Sequence, residues 1–216
     1  APIFLSQAFA EQAGEITLAN MLDATVEELV AGNGSLNLSA NRVNFGDGAI
    51  ATAGFGAVSI TGTQGLVAVG DGSFDSGSAT LALHAPILVA TAGSDSLLRS
   101  AAALSFDTAG AGSSKVGGSA GGAVKLEGAS VSIDSRIEAS AGRIDLDATT
   151  GDVSLGSTSV LSVAGAAVTV HDVKQYAAGG RIGLSAAQGD IALAQGSVLD
   201  FSGAQGGGNA GALDID

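Results

Sequence analysis

The chain has 216 residues, 34 of them glycine, no cysteine, and a formal net charge of −13 from eight Lys and Arg against 21 Asp and Glu. That balance leaves no basic stripe to neutralise phosphates and argues against both nucleic acid and an anionic membrane surface as partners. No apolar run reaches the roughly 18 residues of a membrane-spanning helix, and a mean hydropathy of +0.42 with regularly placed Leu, Ile and Val is unlike a disordered chain.

The N-terminus, Ala1-Pro-Ile-Phe-Leu5, lacks the basic stretch and apolar core of a secretion signal. The expectation is that targeting has been removed or that the chain is cut from something longer, with 1–14 an irregular or capping lead-in. Asp23 suits an N-cap, Ala24–Ala31 is free of glycine, and Gly32 suits the C′ position. These features predict a short helix near 24–31 or an irregular connection.

An apolar-x-apolar triplet then returns along the whole chain. The copies are Ile16-Thr-Leu18, Leu36-Asn-Leu38, Val58-Ser-Ile60, Leu81-Ala-Leu83, Leu104-Ser-Phe106, Val124-Lys-Leu126, Ile144-Asp-Leu146, Val168-Thr-Val170, Ile191-Ala-Leu193 and Leu213-Asp-Ile215. The mean interval is (213 − 16)/9, about 22 residues, the mark of a stacked repeat. Each triplet has the period-2 alternation of a strand, with its flanking residues inward and its middle residue toward water. Further apolar clusters follow, as in Val43-Asn-Phe45, Val131-Ser-Ile133, Val153-Ser-Leu155 and Val160-Leu-Ser-Val163.

Two or three short strands per turn predict an all-β chain, a parallel β-helix of about nine to ten coils. No linker interrupts the repeat, so 1–216 reads as one unit. If the register is right, Lys125 and Asp145 stack on neighbouring strands about 4.8 Å apart as an exposed ion pair worth about 0–1 kcal/mol. Residues 142–165 also align with 180–203 at an offset of 38, leaving 166–179 as a partial coil or a loop.

The stretch Gly180-Arg-Ile-Gly-Leu-Ser-Ala-Ala-Gln-Gly-Asp-Ile-Ala-Leu193 with its continuation to Ile215, and Leu81-Ala-Leu-His-Ala-Pro-Ile87, resemble the repeats of filamentous-haemagglutinin-like exoproteins. The resemblance covers most of the chain. It implies a right-handed β-helical shaft of a large bacterial adhesin, secreted or held at the cell surface. Export would pass through an outer-membrane β-barrel transporter by two-partner secretion. The Asn-Pro-Asn motifs of that family's secretion domain are absent, so the chain would be an internal shaft segment.

Chemistry is sparse. Gly206-x-Gly208-x-x-Gly211 matches a dinucleotide fingerprint, but a strand triplet follows where a helix is required, so it reads as a glycine turn. Gly117-Gly-Ser119-Ala-Gly121 matches a nucleophile elbow without the strand–turn–helix context, and only His84 and His171 are available as bases. Asp134 with Glu138, or Asp145 with Asp147, would be the carboxylate pairs of a carbohydrate-active enzyme. With one Tyr and no Trp, that remains the alternative to a non-enzymatic rod.

No catalytic, cofactor-binding or metal residues are therefore assigned. Asp47, Asp71 and Asp75 sit on turns that would suit Ca²⁺, and Tyr176 is the candidate sugar contact. The expected partners are the transporter and a glycan or cell-surface receptor, with no nucleic acid and no membrane insertion. A ligand-free spacer carrying a distal toxin or adhesin tip is a third reading.

Overall fold

The computed structural model describes residues 9–19, 32–171 and 173–216. The described chain is all-β and winds as a parallel β-solenoid with three faces. The first layer is β1 (Phe9–Leu18). The second is β2 (Gly34–Phe45) and β3 (Gly48–Ala51), and the third is β4 (Phe55–Ala68) and β5 (Asp71–Asp75). The fourth layer is β6 (Thr80–His84), β7 (Ile87–Ala90) and β8 (Asp95–Arg99). The fifth is β9 (Leu104–Asp107) and β10 (Ala123–Gly128), and the sixth is β11 (Val131–Ile133), β12 (Arg136–Glu138) and β13 (Arg143–Ala148). The seventh is β14 (Val153–Leu155), β15 (Val160–Ser162), a hairpin of β16 (Ala167–Val170) and β17 (Val173–Tyr176), and β18 (Arg181–Ala186). The eighth is β19 (Ile191–Leu193), β20 (Val198–Asp200) and β21 (Ala212–Ile215).

Apart from the hairpin, the strands lie parallel on their equivalents in neighbouring layers, often 20 to 24 residues on, as in Lys125 on Asp145 and Ala49 on Ser73, with longer offsets elsewhere, such as 38 for Arg143 on Arg181 and 49 for Ile87 on Arg136. The long strands β1, β2 and β4 bend around the corner between the first and second faces, joining these into one sheet, while the third face is a separate seven-stranded sheet. In β4 the bend uses glycine: Gly65 has φ +149, and a Cβ on Gly62 would overlap the Gly65 carbonyl. Tight i to i+3 turns form other corners, and serine hydroxyls satisfy carbonyls there, as Ser94 does for Thr91 and Ser159 for Gly156.

The triplet rule holds for the core. Leu81, Leu83, Leu104, Phe106, Val124, Leu126, Ile144 and Leu146 are buried in one cluster that runs through the layers. Among the described residues the expected nine to ten coils correct to eight layers, six of them with a strand on all three faces. The triplets over-counted because they fall on different faces. Leu104-Ser-Phe106 and Val124-Lys-Leu126 both belong to the fifth layer, and Ile191-Ala-Leu193 and Leu213-Asp-Ile215 both to the eighth. Val168-Thr-Val170 belongs to the hairpin, so the stacked strands of the seventh layer hold none of the ten triplets. Seven intervals at strand spacing make a stack about 34 Å long.

The 38-residue alignment is reproduced strand for strand: Arg143 on Arg181, Val153 on Ile191 and Val160 on Val198. The stretch between them is the antiparallel hairpin, not a coil. Of the expected lead-in, residues 9–14 are strand, because their backbone finds a ladder partner in β2; residues 1–8 and the expected helix near 24–31 lie outside the described residues, apart from Gly32, its expected C′ residue.

Candidate functional site

The layers are not equally decorated. The first face presents a column of small polar or methyl side chains, Asn37, Ser59, Ala82, Ser105, Ser132, Ser154 and Ala192, in continuous register. Among the described residues, the long excursions instead gather at the second face and its corner with the third. Residues 108–122 leave the fifth layer, the hairpin β16–β17 leaves the seventh, and 201–211 form a glycine-rich loop in the eighth. In stacked repeats, insertions collected on one side commonly form the binding side.

Tyr176 ends β17 and is 40% exposed. Its ring lies on the backbone of the glycine loop, where a Cβ on Gly206 would come within 2.9 Å of the ring and one on Gly207 within 3.0 Å. Gly206 of the fingerprint, with the intervening Gly207, thus serves as a seat for an aromatic ring that is otherwise partly open to solvent. His171 is at the hairpin tip with φ +47, in the left-handed region.

Two of the three calcium candidates, Asp47 and Asp75, have carboxylates engaged with backbone. Asp47 Oδ1 accepts the Asp71 N–H at 2.9 Å, and Asp75 Oδ1 accepts the Gly77 N–H at 2.7 Å. Asp71 and Asp75 stand at opposite ends of β5, about 13 Å apart by strand rise. The same device recurs at other corners: Asp134 accepts the Thr158 N–H, and Asp152 accepts the Asp190 N–H. Among the described residues no three His, Asp or Glu converge as a metal set.

The outer surface of the third face carries an ion-pair lattice. Lys125 stacks on Asp145 as the register requires. Its ammonium, however, bonds Asp147 at 2.7 Å and Glu127 at 3.0 Å, because Asp145 is held by Arg143 at 2.8 Å. Arg99 reaches Glu127 at 3.1 Å, and Arg181 reaches Asp214 at 2.7 Å. The Asp147 bond raises the Lys125 ammonium above its usual value; burial opposes this, and the Glu127 bond and the two carboxylate charges add to it. Burial pushes the Asp145 carboxyl up, against the pull of Arg143, Arg181 and Lys125. These are partly exposed pairs, each contributing on the order of 0–1 kcal/mol.

One constellation escaped the sequence reading. Nδ1 of His84 lies 2.7 Å from Asp107 Oδ1 across the fourth and fifth layers. Their separation of 23 residues equals the local repeat, and that signal would have found them. Asp107 also accepts the Ala109 N–H at 2.8 Å, fixing the start of the 108–122 excursion. Burial raises the Asp107 carboxyl, but the His84 bond, the Ala109 N–H and the His84 charge outweigh it and hold it below the usual range. A depressed folded-state value means the stabilisation is present above the ordinary carboxyl range and lost as pH falls through the folded value. Asp107→Asn is therefore expected to lower the urea midpoint at about pH 7, with the difference from the parent shrinking toward about pH 3. An equal difference at both pH values would contradict this.

The elbow serine is also structural: Ser119 Oγ accepts the Ala92 N–H at 2.7 Å. Compared with known protein-family models, curated proteins and solved structures, the chain matches none.

Proposed function

We propose that this chain is a structural and adhesive segment of a large secreted or surface-exposed bacterial protein. It would be a stiff rod that attaches to glycan on host cells, to matrix polysaccharide or to other bacteria. The observation that carries the reading is the segregation of the excursions, including the exposed Tyr176, to one side of an otherwise regular stack. The resemblance to filamentous-haemagglutinin-like repeats supports the setting, and with it export through an outer-membrane β-barrel partner. The absence of cysteine suits a chain exported unfolded.

A glycan array probed with the 216-residue chain tests the proposal. Binding to a defined glycan class is expected, weakened about tenfold by Tyr176→Ala, as befits loss of an aromatic stacking contact. Binding to no glycan and no cell surface would leave a spacer.

One observation favours an enzyme as the second reading. Asp145, pushed up by burial, is two residues from Asp147 on the same outer face, with Lys125, Arg143 and Arg181 around it. A carboxyl raised by burial in this way suits a general acid. Cleavage of a polysaccharide by the parent and not by Asp145→Asn would establish it.

A further inference from the structure

The fifth layer has no strand on the second face. After Asp107 the chain leaves the stack, and β7 of the fourth layer pairs directly with β12 of the sixth. The Ser135 hydroxyl crosses the same gap to the Ala85 carbonyl at 2.7 Å. Residues 108–122 instead run back over the outside of β7 and β4. The Gly112 N–H bonds the Thr63 carbonyl at 2.7 Å and the Lys115 N–H bonds that of Gln64 at 3.1 Å. The Val116 side chain lies over Gly65 beside Ile87, and Gly118 lies against Val89.

What this excursion covers is unusual for the outside of the rod. In β4 and β7, Leu66, Ala68, Leu88 and Ala90 point into the core, so Val67, Ile87 and Val89 point outward. Yet these three are only 6%, 5% and 0% exposed. The positions stacked on Ile87 and Val89 in the sixth layer are Arg136 and Glu138. Val198, in the Ile87 column but beyond the excursion, is 45% exposed.

The holding contacts are uneven. The roots are pinned by the Asp107 carboxylate at one end, and at the other by the Gly121 N–H to Ser140 and by Gly122 packed on Thr91. Over 108–122 as a whole, 6 of the 15 residues are glycine, and the central run bonds the stack through a few groups. Few apolar contacts and few backbone bonds mark a segment that opens locally.

We infer that residues 108–122 are a hinged cover that lifts from the second face without unwinding the solenoid, and that lifting it uncovers an apolar patch of Val67, Ile87 and Val89. β4, β7 and β12 keep their ladder partners when it lifts, because no strand depends on the cover for pairing.

Limited trypsin digestion tests this on the whole chain. Of the eight basic residues, Lys115 is the one outside a strand. The expected first cut is after Lys115, with the β circular dichroism unchanged and the fluorescence of the apolar dye ANS raised about twofold or more. Val116→Ser, which weakens the seat over Gly65, is expected to speed that cut about fivefold or more at unchanged circular dichroism. Either of two results overturns the inference. One is a Lys115 cut no faster than cuts within the strands. The other is a nicked chain that unfolds or binds no more dye than the intact one.

Discussion

Gly142→Ala is expected to destabilise the stack by about 3 kcal/mol or more. Gly122, Gly142, Gly180 and Gly211 form a column where the chain enters the third face. A Cβ on Gly142 would overlap the Gly122 carbonyl oxygen, one on Gly180 the Gly142 oxygen, and one on Gly211 the Gly180 oxygen. The same carbonyls accept the first ladder bonds of that face. Gly122 O takes the Arg143 N–H, and Gly142 O takes the Arg181 N–H, each at 2.9 Å. The obstruction is backbone, not the end of a flexible side chain, so relief requires parting two layers and loses those bonds. Urea unfolding followed by circular dichroism measures the effect. A loss below about 1 kcal/mol would mean the layers part more easily than their packing suggests.

Phe106→Ala is expected to cost about 3–5 kcal/mol, the range for truncating a buried aromatic. Phe106 is fully buried, stacked between Leu83 of the fourth layer and Ile133 of the sixth. It also ends the part of the first face from which the fifth layer departs, so no strand of its own layer on the second face shares the space. Because stability in a stacked repeat is carried by neighbour contacts, the loss should weaken both adjoining interfaces. Two unfolding transitions in place of one would be a natural consequence. A variant with the parent's midpoint would contradict the packing.

The repeat was legible because burial imposes one alternation rule on every strand. Leu81, Leu83, Val124 and Leu126 could be assigned to the core without knowing their neighbours. The same uniformity hid which face each triplet occupies. Leu104-Ser-Phe106 and Val124-Lys-Leu126 look alike, yet one is on the first face and the other on the third. Face identity is set by corners such as Gly62–Gly65 and Gly122, where the signal is a glycine among many. Lys125 on Asp145 was recoverable from register alone, but its ion partner Asp147 was not, since that depends on Arg143 occupying Asp145. The cover at 108–122 looked like a low-complexity stretch. Its role comes from Val67, Ile87 and Val89, whose apolar character is indistinguishable in sequence from that of inward residues. For the candidate site, Tyr176 was singled out as a lone aromatic, while its seat on Gly206 and Gly207 required two segments 30 residues apart to meet.

Stacking of the layers in one fixed register is open to cross-linking, because the chain has no cysteine of its own. Ser132 and Ser154 are paired on the outer surface of the first face, with Ser105 on the other side of Ser132. Ser132→Cys with Ser154→Cys is expected to form a disulfide readily under mild oxidation, since in-register neighbours lie about 4.8 Å apart and within disulfide reach. Ser59→Cys with Ser132→Cys, separated by three layers or about 14 Å, is expected not to. A folded chain in which the first pair stays reduced, or in which the second pair cross-links within one molecule as fast as the first, would contradict the stack.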